Sequence, residues 1–244
     1  MKRVLLTISY DGTAYHGWQV QPNGITVQQV LQDSLVKVLG VNTAVTGCSR
    51  TDAGVHARQF ACHIDCDEKI PDEAFLKGLN SILPRDIAVL CCKRVADDFH
   101  ARYSAKGKTY VYYILNSRLK DPFLSRYSWQ IARELDIRKM NDFCKGLVGT
   151  HDFYAFSSSG RTVSDTVRMV EECHVEKSGD IVSLHITGNG FLYNMVRIIT
   201  GTAVDVSDGR IAADATEQIL LSRRREAAGI TAPAQGLFLE KVLY

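Results

Sequence analysis

No stretch of the sequence approaches the roughly 18 uninterrupted apolar residues that a membrane-crossing helix requires, so a spanning protein is not expected. No apolar export segment follows Met1-Lys2-Arg3, which lead straight into a strand-like run, and a cytoplasmic protein is expected. No CxxC pair occurs, and seven cysteines is an odd number for a disulfide framework. A chain of 244 residues does not need one. The cysteines are expected as reduced thiols filling small buried or half-buried positions. Cys48, Cys62, Cys66 and His63 lack zinc-site spacing, and Cys62 and Cys66 lie in a run that alternates like a strand, so no metal is expected. No low-complexity linker and no nucleotide-binding glycine motif appears. Neither sign of charge dominates: a net +2 and a pI near 8.1 do not announce a nucleic-acid binder. With 45% hydrophobic and 23% charged residues, disorder and fibre are excluded, leaving one large or two small globular domains.

What is present is local. Between His100 and Arg126 stand Arg102, Lys106, Lys108, Arg118, Lys120 and Arg126 against Asp121 alone, interleaved with Tyr103, Tyr110, Tyr112, Tyr113 and Phe123. Cations that neutralise phosphates, mixed with rings that stack on bases, suit RNA; a solvated sheet edge would look the same.

The apolar pattern orders the chain. Val4, Leu6, Ile8 and Tyr10 alternate as a half-buried strand, closed by Asp11-Gly12. Thr26 is placed to cap a helix with Val27, Val30, Leu31, Leu35 and Val38 on one face, stopped by Gly40. Strands over 44–48 and 59–65, a helix from Pro71 and a strand over 87–93 complete a βαββαβ pass. A second pass reads as a strand over 108–115, a helix over 137–147, strands over 166–175 and 181–187, a helix over 191–206 and a strand over 237–243. An extra helix over 214–223 precedes that last strand. The expectation is an α+β protein of two ferredoxin-like halves, residues 1–105 and 106–244, with mostly antiparallel sheets backed by helices and a basic cleft between them.

Between the second and third strands runs Gly47-Cys48-Ser49-Arg50-Thr51-Asp52-Ala53-Gly54-Val55-His56-Ala57, a polar loop with no hydrophobic periodicity. Composition alone allows a connecting turn whose Asp caps an amide, or a site framed by rigid strands. The run Ser49 to Ala57 resembles the signature R-T-D-x-G-V-H-A of the tRNA pseudouridine synthase A family. It is joined by Tyr10-Asp11-Gly12, Gly17-Trp18-Gln19-Val20-Gln21-Pro22, and Phe99-His100-Ala101-Arg102-Tyr103-Ser104-Ala105. Gly149-Thr150-His151-Asp152-Phe153, Gly188-Asn189-Gly190-Phe191-Leu192-Tyr193-Asn194-Met195-Val196-Arg197 and Thr231-Ala232-Pro233-Ala234-Gln235-Gly236-Leu237 complete the set, so the resemblance covers essentially the whole chain.

That resemblance implies isomerisation of uridine to pseudouridine around positions 38, 39 and 40 of the tRNA anticodon arm, by a homodimer, without metal or cofactor. The bond from N1 to C1′ breaks, the base turns, and C5 takes the bond. Asp52 matches the family's essential aspartate, suited to attack on sugar or base or to proton removal beside the anomeric carbon. Arg197 matches the arginine that pairs with it, and Tyr110 the ring that stacks on the target uracil after flipping. Arg50 is implied to hold the flipped nucleotide, and Leu237 to wall the base. Arg58, Arg102, Lys106, Lys108 and Arg126 are candidates for phosphate contacts. His56 reads as a loop hydrogen-bonder. Arg223, Arg224 and Arg225 suit either phosphate or a helix C-terminal dipole. The same chemistry on another RNA, or a non-catalytic RNA-binding module on the same fold, remains open.

Overall fold

In the computed structural model, which describes residues 2–66, 71–160 and 164–244, the chain divides into two compact units. In order, its elements are β1 (Lys2–Tyr10), α1 (Val27–Leu39), β2 (Thr46–Gly47), β3 (His56–Cys66), α2 (Asp72–Ile82) and β4 (Ile87–Arg94). There follow β5 (Gly107–Leu115), β6 (Trp129–Gln130), α3 (Ile137–Lys145), β7 (Gly149–Asp152), β8 (Val167–Ser178), β9 (Ile181–Gly188), α4 (Met195–Ser207), α5 (Thr216–Ser222) and β10 (Leu237–Leu243). The protein is mixed α+β with mostly antiparallel strand pairing. No helix among the described residues is long and apolar enough to cross a membrane.

The first unit takes in residues 2–106 together with Phe238–Tyr244. In it β1 lies between β3 and β4, antiparallel to both. Val4, Leu6 and Ile8 are fully buried, because alternate side chains of β1 all turn to one face. The other edge of β3 is shared. Its later part pairs with β2 (Thr46↔His63, Gly47↔Cys62), and its start pairs in parallel with β10 (Phe238↔His56, Leu239↔Ala57). The strand expected over 44–48 shrinks to two residues, while β3 begins at His56, earlier than the alternation suggests, since β10 supplies it with a partner. The strand that ends the second pass in sequence thus contributes Phe238 onward to the first unit's sheet. Thr26 caps α1 through its side-chain oxygen at 3.3 Å from the Gln29 amide, and Gly40 ends it at φ 72, where an L side chain would be strained.

The second unit, Gly107–Leu237, is built on β5, β9, β8 and β7, each antiparallel to the next. β6 adds in parallel to the other edge of β5. Neither β6 nor β7 is visible in the apolar pattern, being only two and four residues long. α4 starts at Met195 rather than at Phe191, because Asn194 holds the left-handed φ of 61 and cannot continue a helix backward. α4 reads from sequence as amphipathic, with one stripe of Leu192, Met195, Val196, Ile199 and Ala203. Instead it is buried on nearly every side from Met195 to Val206. Its two buried threonines satisfy themselves, Thr200 donating to the Val196 carbonyl at 2.9 Å and Thr202 to that of Ile198 at 2.7 Å. Each fully buried aliphatic side chain here contributes about 1.5–3 kcal/mol of transfer free energy. All seven cysteines are free thiols, with Cys91 exposed and Cys92 half-buried.

Candidate active site

The polar loop of the first unit is a constrained structure rather than a slack connection. Asp52 opens a tight turn closed by the Val55 amide donating to its carbonyl at 3.2 Å. Gly54 takes φ 77 in the third position, the left-handed value that a type II turn demands there. Around it lies the segment after β1. The Trp18 amide donates to the Thr51 carbonyl at 3.2 Å, the Gly54 amide donates to the Tyr15 carbonyl at 3.3 Å, and the Tyr10 and Thr51 hydroxyls meet at 2.8 Å. Gly17, at φ 80, runs so close that a Cβ would collide with the Thr51 carbonyl, and one on Gly12 would collide with that of Val55. Trp18 stacks on Phe60 with centroids 4.0 Å apart and underlies Gly47, fixing where the loop leaves β2. Two stretches, Tyr10-Asp11-Gly12 and the segment from Tyr15 to Trp18, therefore clamp the residues on both sides of Asp52.

His56, almost wholly buried, closes the loop. The Gly12 amide donates to its Nδ1 at 3.1 Å, and the same nitrogen lies 3.1 Å from an Asp11 carboxylate oxygen. One nitrogen serves one of these at a time: unprotonated, it accepts from Gly12; protonated, it donates to Asp11. The ring stacks on Phe238 at 4.5 Å, and Arg58 lies over Phe238 as well, its guanidinium 5.2 Å from the ring centroid and its Nε 3.1 Å from Glu240. Arg50 and Lys106 are exposed, and Asp52 is half-buried.

In the second unit, Arg197 sits on the first turn of α4. Its Nε donates to the Ala232 carbonyl at 2.8 Å and its Nη1 to Asn194 Oδ1 at 2.9 Å, while its own carbonyl accepts from the Ala232 amide at 3.1 Å. Asn194 in turn donates to the Ser158 hydroxyl at 3.0 Å. The segment 231–237 is thus tied to α4 through one arginine. It is tied to β5 through Tyr112, whose hydroxyl donates to the Pro233 carbonyl at 2.7 Å and whose ring lies against Gly236. Burial raises the Tyr112 phenol far above its ordinary pKa, with the Arg197 charge pulling the other way, so the hydroxyl remains a donor. Leu237, next in line, is buried.

Tyr110 is also buried, its ring edge-on to Phe191 at 5.1 Å. Tyr110, Val111 and Tyr112 are all buried, as in a strand covered on both sides. Lys108 is 9% exposed, unlike the exposed Arg102, Lys106 and Arg126. Arg225 donates to the Ala228 and Gly229 carbonyls and to the Thr231 hydroxyl, holding that loop. Arg223 pairs with Asp152 at 3.1 Å and lies over Tyr154. The clamp by Gly17 and Trp18 and the arginine tie to Ala232 were not deduced from the sequence. Their signal was there as glycines and aromatics inside motifs with no periodicity of their own.

Comparison with known proteins bears on these same segments. The family model described as tRNA pseudouridine synthase matches residues 6–104 and 143–244. Among curated proteins, tRNA pseudouridine synthase A of Thermoanaerobacter sp. (strain X514) is 48% identical over 244 residues, covering 100% of both chains. The protein of that name from Clostridium kluyveri is 46% identical over 245 residues, and tRNA pseudouridine synthase A 2 of Clostridium perfringens 43% over 245, each again with 100% of both chains covered. A solved chain of a Cbf5-Nop10-Gar1 complex aligns over 97% of this chain and 48% of its own at 12% identity and a TM-score of 0.37, too slight a likeness to argue from. With the family model spanning both units and relatives matching from end to end, the chain belongs to the tRNA pseudouridine synthase family.

Proposed function

We propose that this chain isomerises uridine to pseudouridine in the anticodon stem-loop of tRNA, at positions 38, 39 and 40, with Asp52 as its nucleophile. The observation that carries the reading is the clamped loop: the residues flanking Asp52 are held by backbone hydrogen bonds and by two glycines that admit no side chain. A carboxylate so fixed suits a step in which geometry supplies much of the rate. In the reaction the N1–C1′ bond breaks, the uracil turns, C5 bonds to C1′, and the C5 proton leaves as N1 gains one, so atoms balance with no co-reactant.

Arg197 serves as the cation of the reaction, its guanidinium aimed by Ala232 and Asn194. Tyr110 meets the flipped base, its orientation supported by Phe191, with Leu237 as apolar wall. Arg50 holds the nucleotide, and Arg58, Lys106 and Lys108 face backbone phosphates. The exposure of Arg50, Arg58 and Lys106 favours such contacts; the burial of Lys108 limits it to a partner that enters the fold. The protein works in the cytoplasm as a homodimer. Incubating purified protein with unmodified tRNA transcripts and mapping pseudouridine by position tests the target. Product at 38 to 40 is expected; product confined to other positions or to ribosomal RNA would replace the target while keeping the chemistry.

A further inference from the structure

The β8–β9 hairpin, far in sequence from the Asp52 loop, brings four ionisable side chains to one face. Its register sets Glu172 opposite Thr187, His174 opposite His185, and Glu176 opposite Ser183. The two imidazoles stack in parallel, with centroids 4.9 Å apart and 3° between their planes. Nδ1 of His174 lies 3.1 Å from a Glu172 carboxylate oxygen, and its Nε2 lies 3.2 Å from one of Glu176.

A neutral imidazole carries one proton and donates to one carboxylate. Its second nitrogen faces a carboxylate oxygen at 3.2 Å, a contact that either a ring proton or a shared cation would satisfy. Donation from Nδ1 to Glu172 is the arrangement that stands behind metal-bound histidines, where a carboxylate fixes the tautomer and leaves Nε2 to the ion. One ligand atom from each of His174, Glu176 and His185 lies within 4.8 Å of the others, a grouping that no other His, Cys, Asp or Glu residues reach among those described. Opposed residues on paired strands share a face, so rotating these side chains brings their ligand atoms toward the roughly 2.1 Å of a zinc bond, with His185 giving up the 3.0 Å contact of its Nε2 with the Ser183 hydroxyl where that nitrogen is the ligand.

We infer that His174, His185 and Glu176 form a binding site for a divalent transition-metal ion of the zinc class, with Glu172 as the positioning residue for His174. Two imidazoles and a carboxylate select zinc, cobalt, nickel or copper over calcium and magnesium, which prefer oxygen ligands in larger number. Three protein ligands leave a fourth position for water. The expectation of no metal rested on cysteine spacing; this pair of histidines meets only through the hairpin register. Bound there, the ion ties β8 to β9.

The test is titration of chelator-treated protein carrying Cys91→Ser, which removes the exposed thiol, with cobalt and then zinc, followed by absorption and calorimetry. One equivalent is expected, with the visible spectrum of four-coordinate cobalt and a melting temperature that rises with zinc. His174→Ala and His185→Ala, checked for fold by circular dichroism, should abolish both, and Glu172→Gln should weaken binding about 10–100-fold. Failure to take up an equivalent, or uptake by the histidine variants as tight as the parent's, overturns the site. If the alanine variants unfold, His185→Gln and Glu176→Gln decide on the same readout.

Discussion

At the scale of single residues, the protein spends its unusual backbone near Asp52. Gly17 stands at a positive φ with the Thr51 carbonyl where a methyl group would go. Gly17→Ala must therefore push the strand of chain that carries Asp52. A misplacement of order 1 Å can cost about 10²-fold in rate, so kcat/KM is expected to fall by that order while tRNA affinity, read by filter binding, is kept. Tyr10→Phe is milder: it removes the hydroxyl that meets Thr51 at 2.8 Å and leaves a buried polar atom behind. Chemical denaturation should show a loss of about 1–2 kcal/mol.

His63 gives a pH prediction of the same scale. Burial, then the Arg3 charge and His100, hold its pKa down to about 4, and its Nδ1 accepts the Ala101 amide at 3.1 Å. With the folded value below the ordinary 6.5, the unfolded chain binds the proton more readily, so stability is full above that value and falls as pH drops toward 4. The loss attributable to this one ring is at most about 3 kcal/mol. His63→Asn, which retains an acceptor, should flatten that acid limb in urea titrations at stepped pH; an unchanged slope would assign it to other groups.

At the scale of elements, the legible parts were those with a strong period. The β1 alternation, the capped α1 and the β8–β9 pair could be read because one face of each is buried and the other wet. α4 could be found but not understood: a helix enclosed on nearly every side, with α3, β5 and the chain at 228–232 among its neighbours, has no stripe to reveal them. Gly201 marks that enclosure, since a Cβ there would run into the Ile230 carbonyl. Gly201→Ala should destabilise the protein by about 1–3 kcal/mol through overpacking, and hydrogen exchange should quicken at Gly229 and Ile230, whose amides are held by Thr202 and Asp205. Protection unchanged there would mean that the added methyl is absorbed without loosening the loop. The short β6 and β7 escaped notice because so few residues carry no period at all.

At the scale of the whole molecule, element order was readable and partnership was not. Two βαββαβ passes follow from pattern, but that Phe238 and Leu239 pair with the start of β3 depends on contacts separated by most of the chain. The same holds for the site. The loop that holds Asp52 was singled out through its motif, whereas the clamp on its flanks, from the end of β1 and the residues after it, emerges only when the chain is folded. Arg58 also pairs with Glu240 and lies over Phe238, packing that its charge alone did not reveal.

The most direct test of this account compares wild-type protein with Asp52→Asn on the same unmodified tRNA, measuring pseudouridine formed and tRNA bound. Loss of all product with affinity retained is the predicted result, because the change removes a carboxylate and keeps the shape of the loop. Product formed by Asp52→Asn at a rate near wild type would contradict the central claim and move the chemistry to another residue.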